Sequence, residues 1–167
     1  KKIYIISGSY TPALLKLAQK FNIPGENIFA NDLIFDETGN FLSHIEGPLK
    51  RNHGKLQIVR RIPGSKIMFG DGITDLEARF LVDLFVGFGG VTKRAIVEEL
   101  SDIFIYAKSL TPALVLAAGN DGIQKLLKTK YRKLIGKGID LLSHPKYAKL
   151  KKGERSPLNQ FKEFAYF

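Results

Sequence analysis

The sequence contains no cysteine. Disulfides and thiolate metal sites are therefore excluded, and a reducing compartment, the cytoplasm, is the natural setting. Long apolar runs are missing too. None approaches the roughly 20 residues that a membrane-spanning helix needs, so no membrane span is expected. The opening Lys-Lys-Ile-Tyr-Ile-Ile-Ser is too short for a signal peptide and has no cleavage pattern. An initiator methionine is also lacking, so Lys1 is not expected to be where translation began. What is present is ordinary for a globular chain: 167 residues, 44% apolar and 25% charged, enough for one domain with a real core.

The formal net charge of +10 is unevenly spread. Residues 1–118 hold 14 Lys and Arg against 12 Asp and Glu, whereas residues 119–167 hold 12 against 4. The first stretch is nearly neutral and the second is a basic appendix. Any argument from charge to an anionic partner concerns the appendix alone.

Ile3 to Ile6 read as a short buried strand that ends in a Ser7-Gly8-Ser9 loop. Thr11-Pro12 reads as a helix start, with Thr11 as N-cap and Leu14, Leu17, Ala18 and Phe21 at helical spacing. Residues 33–45 have the pattern of a hairpin around Asp36 to Asn40. A helix is expected from Gly54 to Arg61, then strands at 67–69, 84–86 and 103–106, separated by helices at 76–81 and 92–100. Strands alternating with helices at short spacing imply βαβ units and a mostly parallel sheet. Thr-Pro-Ala-Leu occurs at 11–14 and at 111–114, one helix-start solution used twice rather than a duplicated domain. Residues 123–142 put Ile123, Leu126, Leu127, Leu134, Ile135 and Leu142 near one helical face with lysines opposite. Residues 143–160 look irregular, and Phe161, Phe164, Tyr166 and Phe167 make an aromatic end.

Three places carry chemistry. In Phe69-Gly70-Asp71-Gly72-Ile73-Thr74-Asp75, aspartates four apart sit where a strand gives way to a helix. Ligands of open α/β sheets bind at the carboxyl ends of strands. Carboxylates there suit magnesium, a hard cation that keeps several waters. The plainer alternative is a tight turn, with Asp75 complementing the helix dipole. Ser7-Gly8-Ser9 offers a hydroxyl and backbone N–H groups before a helix, a phosphate cradle or else a simple turn. Lys55 stands at a helix start, where the dipole disfavours a cation. It is a functional charge or a solvated lysine. His44 and His53 read as hairpin and loop residues.

The order of these features is informative. A serine at a strand end, then a lysine, then Gly-Asp-Gly-x-Thr-Asp at another strand end resembles motifs two, three and four of the haloacid dehalogenase superfamily. Ile-Ser-Gly, Asn-Ile-Pro, Asn-Ile-Phe-Ala-Asn, the hairpin, Gly-Lys, Gly-Asp-Gly-x-Thr-Asp-x-Glu-Ala and Gly-Phe-Gly-Gly resemble its phosphoserine phosphatase branch, over residues 3 to about 117. The resemblance implies a Rossmann-like three-layer α/β core over 1–118, followed by a basic, mainly helical extension over 119–167. It implies a magnesium-dependent phosphomonoesterase that forms an aspartyl-phosphate and turns O-phospho-L-serine into serine. Ser7 and Gly8 would hold the phosphoryl group and Lys55 would neutralise its charge. Asp71 would ligate magnesium, and Asp75 would ligate it or orient its waters. Thr74 and Arg94 match further phosphate-site positions. A small phosphomonoester is the implied substrate.

The chain departs from the family at its start. No Asp-x-Asp-x-Thr, carrying the nucleophile and the general acid/base, occurs in the 167 residues, and the cap that reads the substrate is absent as well. The family's central strand is missing with it, so its neighbours would expose apolar edges. Three explanations stand open: a fragment of a phosphatase, half of a split enzyme completed by a partner chain, or a non-catalytic phosphate-binding relative. The basic extension raises a rival of another class, a module for nucleic acid or a membrane surface. Nucleic acid is not the expected partner, because such a helix more often packs its apolar stripe and leaves its lysines in water.

Overall fold

The computed structural model describes residues 1–151, and these fold as two compact units, Lys1–Gly64 and the chain from Ser65 onward. The aromatic residues 161–167 and the later part of the stretch expected to be irregular lie outside the described residues.

In the first unit, β1 (Ile5–Tyr10) leads directly into α1 (Thr11–Lys20), and β2 (Ile28–Asn31) returns parallel to β1. The strand runs on through Ser7-Gly8-Ser9, where a loop is expected from sequence. Its register with β2 shifts between Ile6 and Tyr10. Two local bonds replace the ladder there. The Ser9 amide donates to Ser7 Oγ at 3.1 Å, and the Asn31 side-chain amide donates to the Gly8 carbonyl at 2.8 Å. The helix cap also differs. Tyr10 is the N-cap and Thr11 is already helical, its hydroxyl turned to the Asn31 carbonyl at 3.4 Å. Of the expected apolar face only Ala18 is fully buried, while Leu17 and Phe21 are exposed. β3 (Leu33–Phe35) and β4 (Phe41–His44) form the expected antiparallel hairpin. Asp36 closes its turn by accepting from the amides of Thr38 and Asn40. α2 (Gly54–Arg61) follows and buries Ile58 and Val59.

The second unit is built on a four-stranded sheet in the order β5 (Ile67–Gly70), β6 (Leu84–Phe88), β7 (Ile103–Ile105) and β8 (Ala148–Leu150). The first three strands are parallel, and β8 is antiparallel to β7. Between them run α3 (Ile73–Leu76) with a 3-10 turn to Leu81, α4 (Ala95–Leu100), α5 (Thr111–Leu127) and α6 (Arg132–Ser143). This is the mixed α/β architecture with a parallel sheet that strand–helix alternation implies. β6 and β7 are buried almost throughout, as strands covered on both faces must be.

The basic stretch is not one continuous helix. α5 begins at the second Thr-Pro-Ala-Leu, bends at Gly119 (φ +66°, a left-handed conformation that glycine adopts without strain) and stops at Leu127. α6 is separate. The apolar stripe of both helices is in the core: Ile123 of α5 and Ile135, Leu141 and Leu142 of α6 pack with Val86, Ile103, Ile105 and Val115. Lys128, Lys130, Lys133 and Lys137 remain exposed. The stretch after 143 yields β8, a strand that sequence periodicity does not show. Ala148 is buried in the same core.

Candidate functional site

β5 ends at Gly70, and the chain turns through Asp71 and Gly72 into α3. The turn is close. A side chain at Gly70 would collide with Asp75 Cβ and Cγ, so glycine is needed for Asp75 to fold back against the strand end. Asp75 is 5% exposed, and its Oδ2 accepts the Gly72 N–H at 3.0 Å. It thus caps the first turn of α3, as the plainer sequence reading has it, while keeping a carboxylate at the strand's carboxyl end. Thr74 projects from the same turn and is exposed.

Asp71 is held differently. Arg94, the N-cap residue of α4, reaches across from the end of the β6–α4 loop. Its Nη1 donates to Asp71 Oδ2 at 2.6 Å and to the Asp71 backbone carbonyl at 2.7 Å. Both side chains are partly open to solvent, 40% for Arg94 and 48% for Asp71. Asp71, Thr74, Asp75 and Arg94 therefore share one corner of the second unit. Ser7, Gly8 and Lys55 lie in the first unit: Ser7 and Gly8 in the irregular part of β1, and Lys55 in the first turn of α2, half-buried. Before it His53 adopts a left-handed conformation (φ 62°), uncommon for a residue with a side chain and often found where a loop is tightly constrained. His44 stacks on Tyr10 and meets the edge of Phe41, a hairpin residue as expected.

Sequence reasoning does not find the cluster behind Arg94. Glu98 accepts the Tyr106 hydroxyl at 2.7 Å and pairs with Lys93 at 2.9 Å and Lys149 at 3.6 Å, while Lys93 lies over the Tyr106 ring at 5.1 Å. The Tyr106 bond and then Lys93 hold the Glu98 carboxyl below its usual range. Burial and then Glu98 push the Tyr106 phenol up to about 12. Among the described residues no group of three or more His, Cys, Asp or Glu is gathered as a metal cluster, and no helix is long and apolar enough to cross a membrane.

The mixed α/β architecture, with a parallel sheet and an acidic Gly-Asp-Gly turn at a strand's carboxyl end, is similar to that of a phosphohydrolase-like solved structure. A crystal structure of a phosphoserine phosphohydrolase-like protein from Francisella tularensis matches 68% of this chain and 55% of its own, with a TM-score of 0.55 and 26% identity. DsGPDH of Dunaliella salina matches 66% of the chain and 20% of its own, at 30% identity and a TM-score of 0.53. The particular likeness is to phosphoserine phosphatases. The chloroplastic enzyme of Arabidopsis thaliana is 39% identical over 112 residues, covering 62% of this chain and 38% of the relative. The human enzyme is 34% identical over 110 residues, covering 62% and 49%. The chain thus spans less than half the length of these curated relatives. No family model matches it.

Proposed function

We propose that this chain is part of a magnesium-dependent phosphomonoester hydrolase that converts O-phospho-L-serine to serine through an aspartyl-phosphate. The observation that carries the reading is the turn after β5. There the partly exposed Asp71 and the buried Asp75 sit at a parallel strand's carboxyl end, with Arg94 beside them. The substrate comes from the relatives named phosphoserine phosphatase.

The donors fit magnesium. They are hard carboxylate oxygens, and this ion is commonly held by one or two carboxylates with water and phosphate completing the shell. Asp71 would ligate it, while Asp75, fixed by the Gly72 amide, would ligate it or orient its waters. When bound, the ion offsets the negative charge on the phosphoryl oxygens. Ser7 and Gly8 hold the phosphoryl group, Lys55 neutralises it, and Thr74 and Arg94 supply further donors to the anion. An aspartate carboxylate forms the bond to phosphorus as the ester P–O bond breaks. The departing serine oxygen takes a proton from a second aspartate, and water then splits the aspartyl-phosphate. Both aspartates belong to an Asp-x-Asp-x-Thr that the 167 residues do not contain, so residues outside this sequence or a partner chain provide them. Residues 1–118 carry the catalytic motifs and 119–167 form the basic extension. The cysteine-free composition suits the cytoplasm.

Phosphate release from O-phospho-L-serine tests this. The 167-residue chain alone is expected to release none. A protein that also carries an upstream Asp-x-Asp-x-Thr and cap releases it only with magnesium. Rapid magnesium-dependent release by the chain alone contradicts the division of labour, and no release by the completed protein contradicts the function.

A second reading has one observation in its favour. The turn between α5 and α6 sets exposed Lys128, Lys130, Arg132 and Lys133 around exposed Tyr131, a surface for an anionic polymer. Removing residues 123–167 does not test it cleanly, because Ile123, Ile135, Leu141 and Leu142 belong to the core. Neutralising the four cations does. Salt-sensitive heparin retention that survives Asp71→Ala with Asp75→Ala, and disappears with the four neutralisations, favours it.

A further inference from the structure

Arg94 makes both of its hydrogen bonds at this corner to one residue, at 2.6 Å to Asp71 Oδ2 and at 2.7 Å to the Asp71 backbone carbonyl. One nitrogen reaching two oxygens of the same residue is a chelating contact, tighter than a single exposed ion pair. The guanidinium therefore holds one oxygen, Oδ2, of the carboxylate that the metal reading assigns to a cation. A divalent ion and a guanidinium on one carboxylate repel each other. At about 4 Å separation and the effective dielectric of a protein surface, that repulsion is comparable to the attraction either cation gains.

The backbone that carries Arg94 is anchored from the other side. The Arg94 carbonyl accepts the Glu98 N–H at 3.0 Å. The Glu98 carboxylate is fixed by Tyr106 and Lys93, and Lys93 is the neighbour of Arg94 in the chain. The segment 93–94 is thus pinned while the Arg94 side chain is 40% exposed. Movement of the guanidinium away from Asp71 is a side-chain rotation on a fixed base, with no loop rearrangement.

We propose that Arg94 is an internal counter-ion to Asp71 that a divalent cation must displace, and that its displacement frees the guanidinium for the substrate's anionic group. The inference rests on the assignment of Asp71 as a cation ligand. It makes Arg94 a positioning residue with two alternative partners, so that cation and anion bind in order, the cation first. By linkage, the cation then raises the affinity for anions, and anions raise the affinity for the cation.

The test uses Mn²⁺ as a probe, with free ion followed by electron paramagnetic resonance, on the whole chain and on Arg94→Gln, Arg94→Lys and Asp71→Asn. Circular dichroism checks that each variant is folded. Arg94→Gln is expected to tighten Mn²⁺ binding roughly three- to tenfold, because a competing partly exposed charge pair is removed. Arg94→Lys, which keeps the charge but loses the rigid fork, falls between, and Asp71→Asn abolishes binding. In the wild-type chain, Mn²⁺ replaced by diamagnetic Mg²⁺ shifts the Arg94 Nε–H signal in a nitrogen-15 spectrum. That readout remains available if a variant fails to fold. Unchanged or weaker binding in folded Arg94→Gln, or an Arg94 signal indifferent to Mg²⁺, overturns the proposal while leaving Asp71 as a ligand. The absence of any Asp71-dependent Mn²⁺ binding overturns the metal assignment and the proposal with it.

Discussion

Tyr106 and Glu98 lie outside the motifs, yet both are shifted from their ordinary range: burial and then Glu98 raise the Tyr106 phenol, and the Tyr106 bond and then Lys93 lower the Glu98 carboxyl. The phenol, raised from 10.0 to about 12, loses nothing until the pH passes its unfolded value. Its contribution to stability is present below about pH 10 and fades as the pH rises to about 12. Glu98 runs the opposite way, contributing above its ordinary 4.5 and losing that contribution as pH falls through its lowered folded value. Tyr106→Phe is expected to cost about 0.5–1.5 kcal/mol at pH 8 by urea denaturation. The difference from wild type should shrink between about pH 10 and 12; a difference constant through that window contradicts the assigned pair. In the turn after β5, Gly70→Ala is expected to cost about 1–3 kcal/mol, because its Cβ would meet Asp75. An unchanged denaturation midpoint there would mean that the turn relaxes freely. At this scale the acidic turn was legible because strand, glycines and carboxylates are contiguous in sequence. The Arg94–Asp71 contact was not, since 23 residues separate the partners and only the packing of β5 beside β6 unites them.

Among the elements, those with their own periodicity were legible. The β3–β4 hairpin, α2, β5, β6 and β7 stand where alternation and turn residues put them. β8 was not, because Ala-Lys-Leu has no signal of its own and becomes a strand only by pairing with β7. β2 was read as part of a motif and not as a strand, and it too is defined by its partner, β1. The apolar face at 123–142 was legible, but the break between α5 and α6 was not. Lys128 to Tyr131 contain neither proline nor glycine, and the turn is closed by the Thr129 hydroxyl on the Leu126 carbonyl at 2.8 Å. α6 makes the sharper prediction. Ile135 is fully buried among Val115, Leu141 and Leu142, so Ile135→Ala is expected to cost about 2–5 kcal/mol by chemical denaturation. Lys133→Ala and Lys137→Ala, on exposed positions, should stay within about 0.5 kcal/mol. Equal effects from the three variants would contradict the packing of this helix as core.

For the molecule as a whole, the charge imbalance that divides the sequence at residue 118 does not mark where packing changes. The compact units part at Gly64, and residues 119–150 contribute side chains to the core of the second. Charge reports what faces water, and α6 turns its lysines outward while its other face joins the sheet. The most direct measurement is magnesium-dependent phosphate release from O-phospho-L-serine by the completed protein, with and without Asp71→Asn. Loss of about a thousandfold or more in kcat, with the fold intact, is the result expected when a metal-binding carboxylate is replaced by an amide. A variant that keeps its activity, or a wild-type activity indifferent to magnesium, would contradict the account.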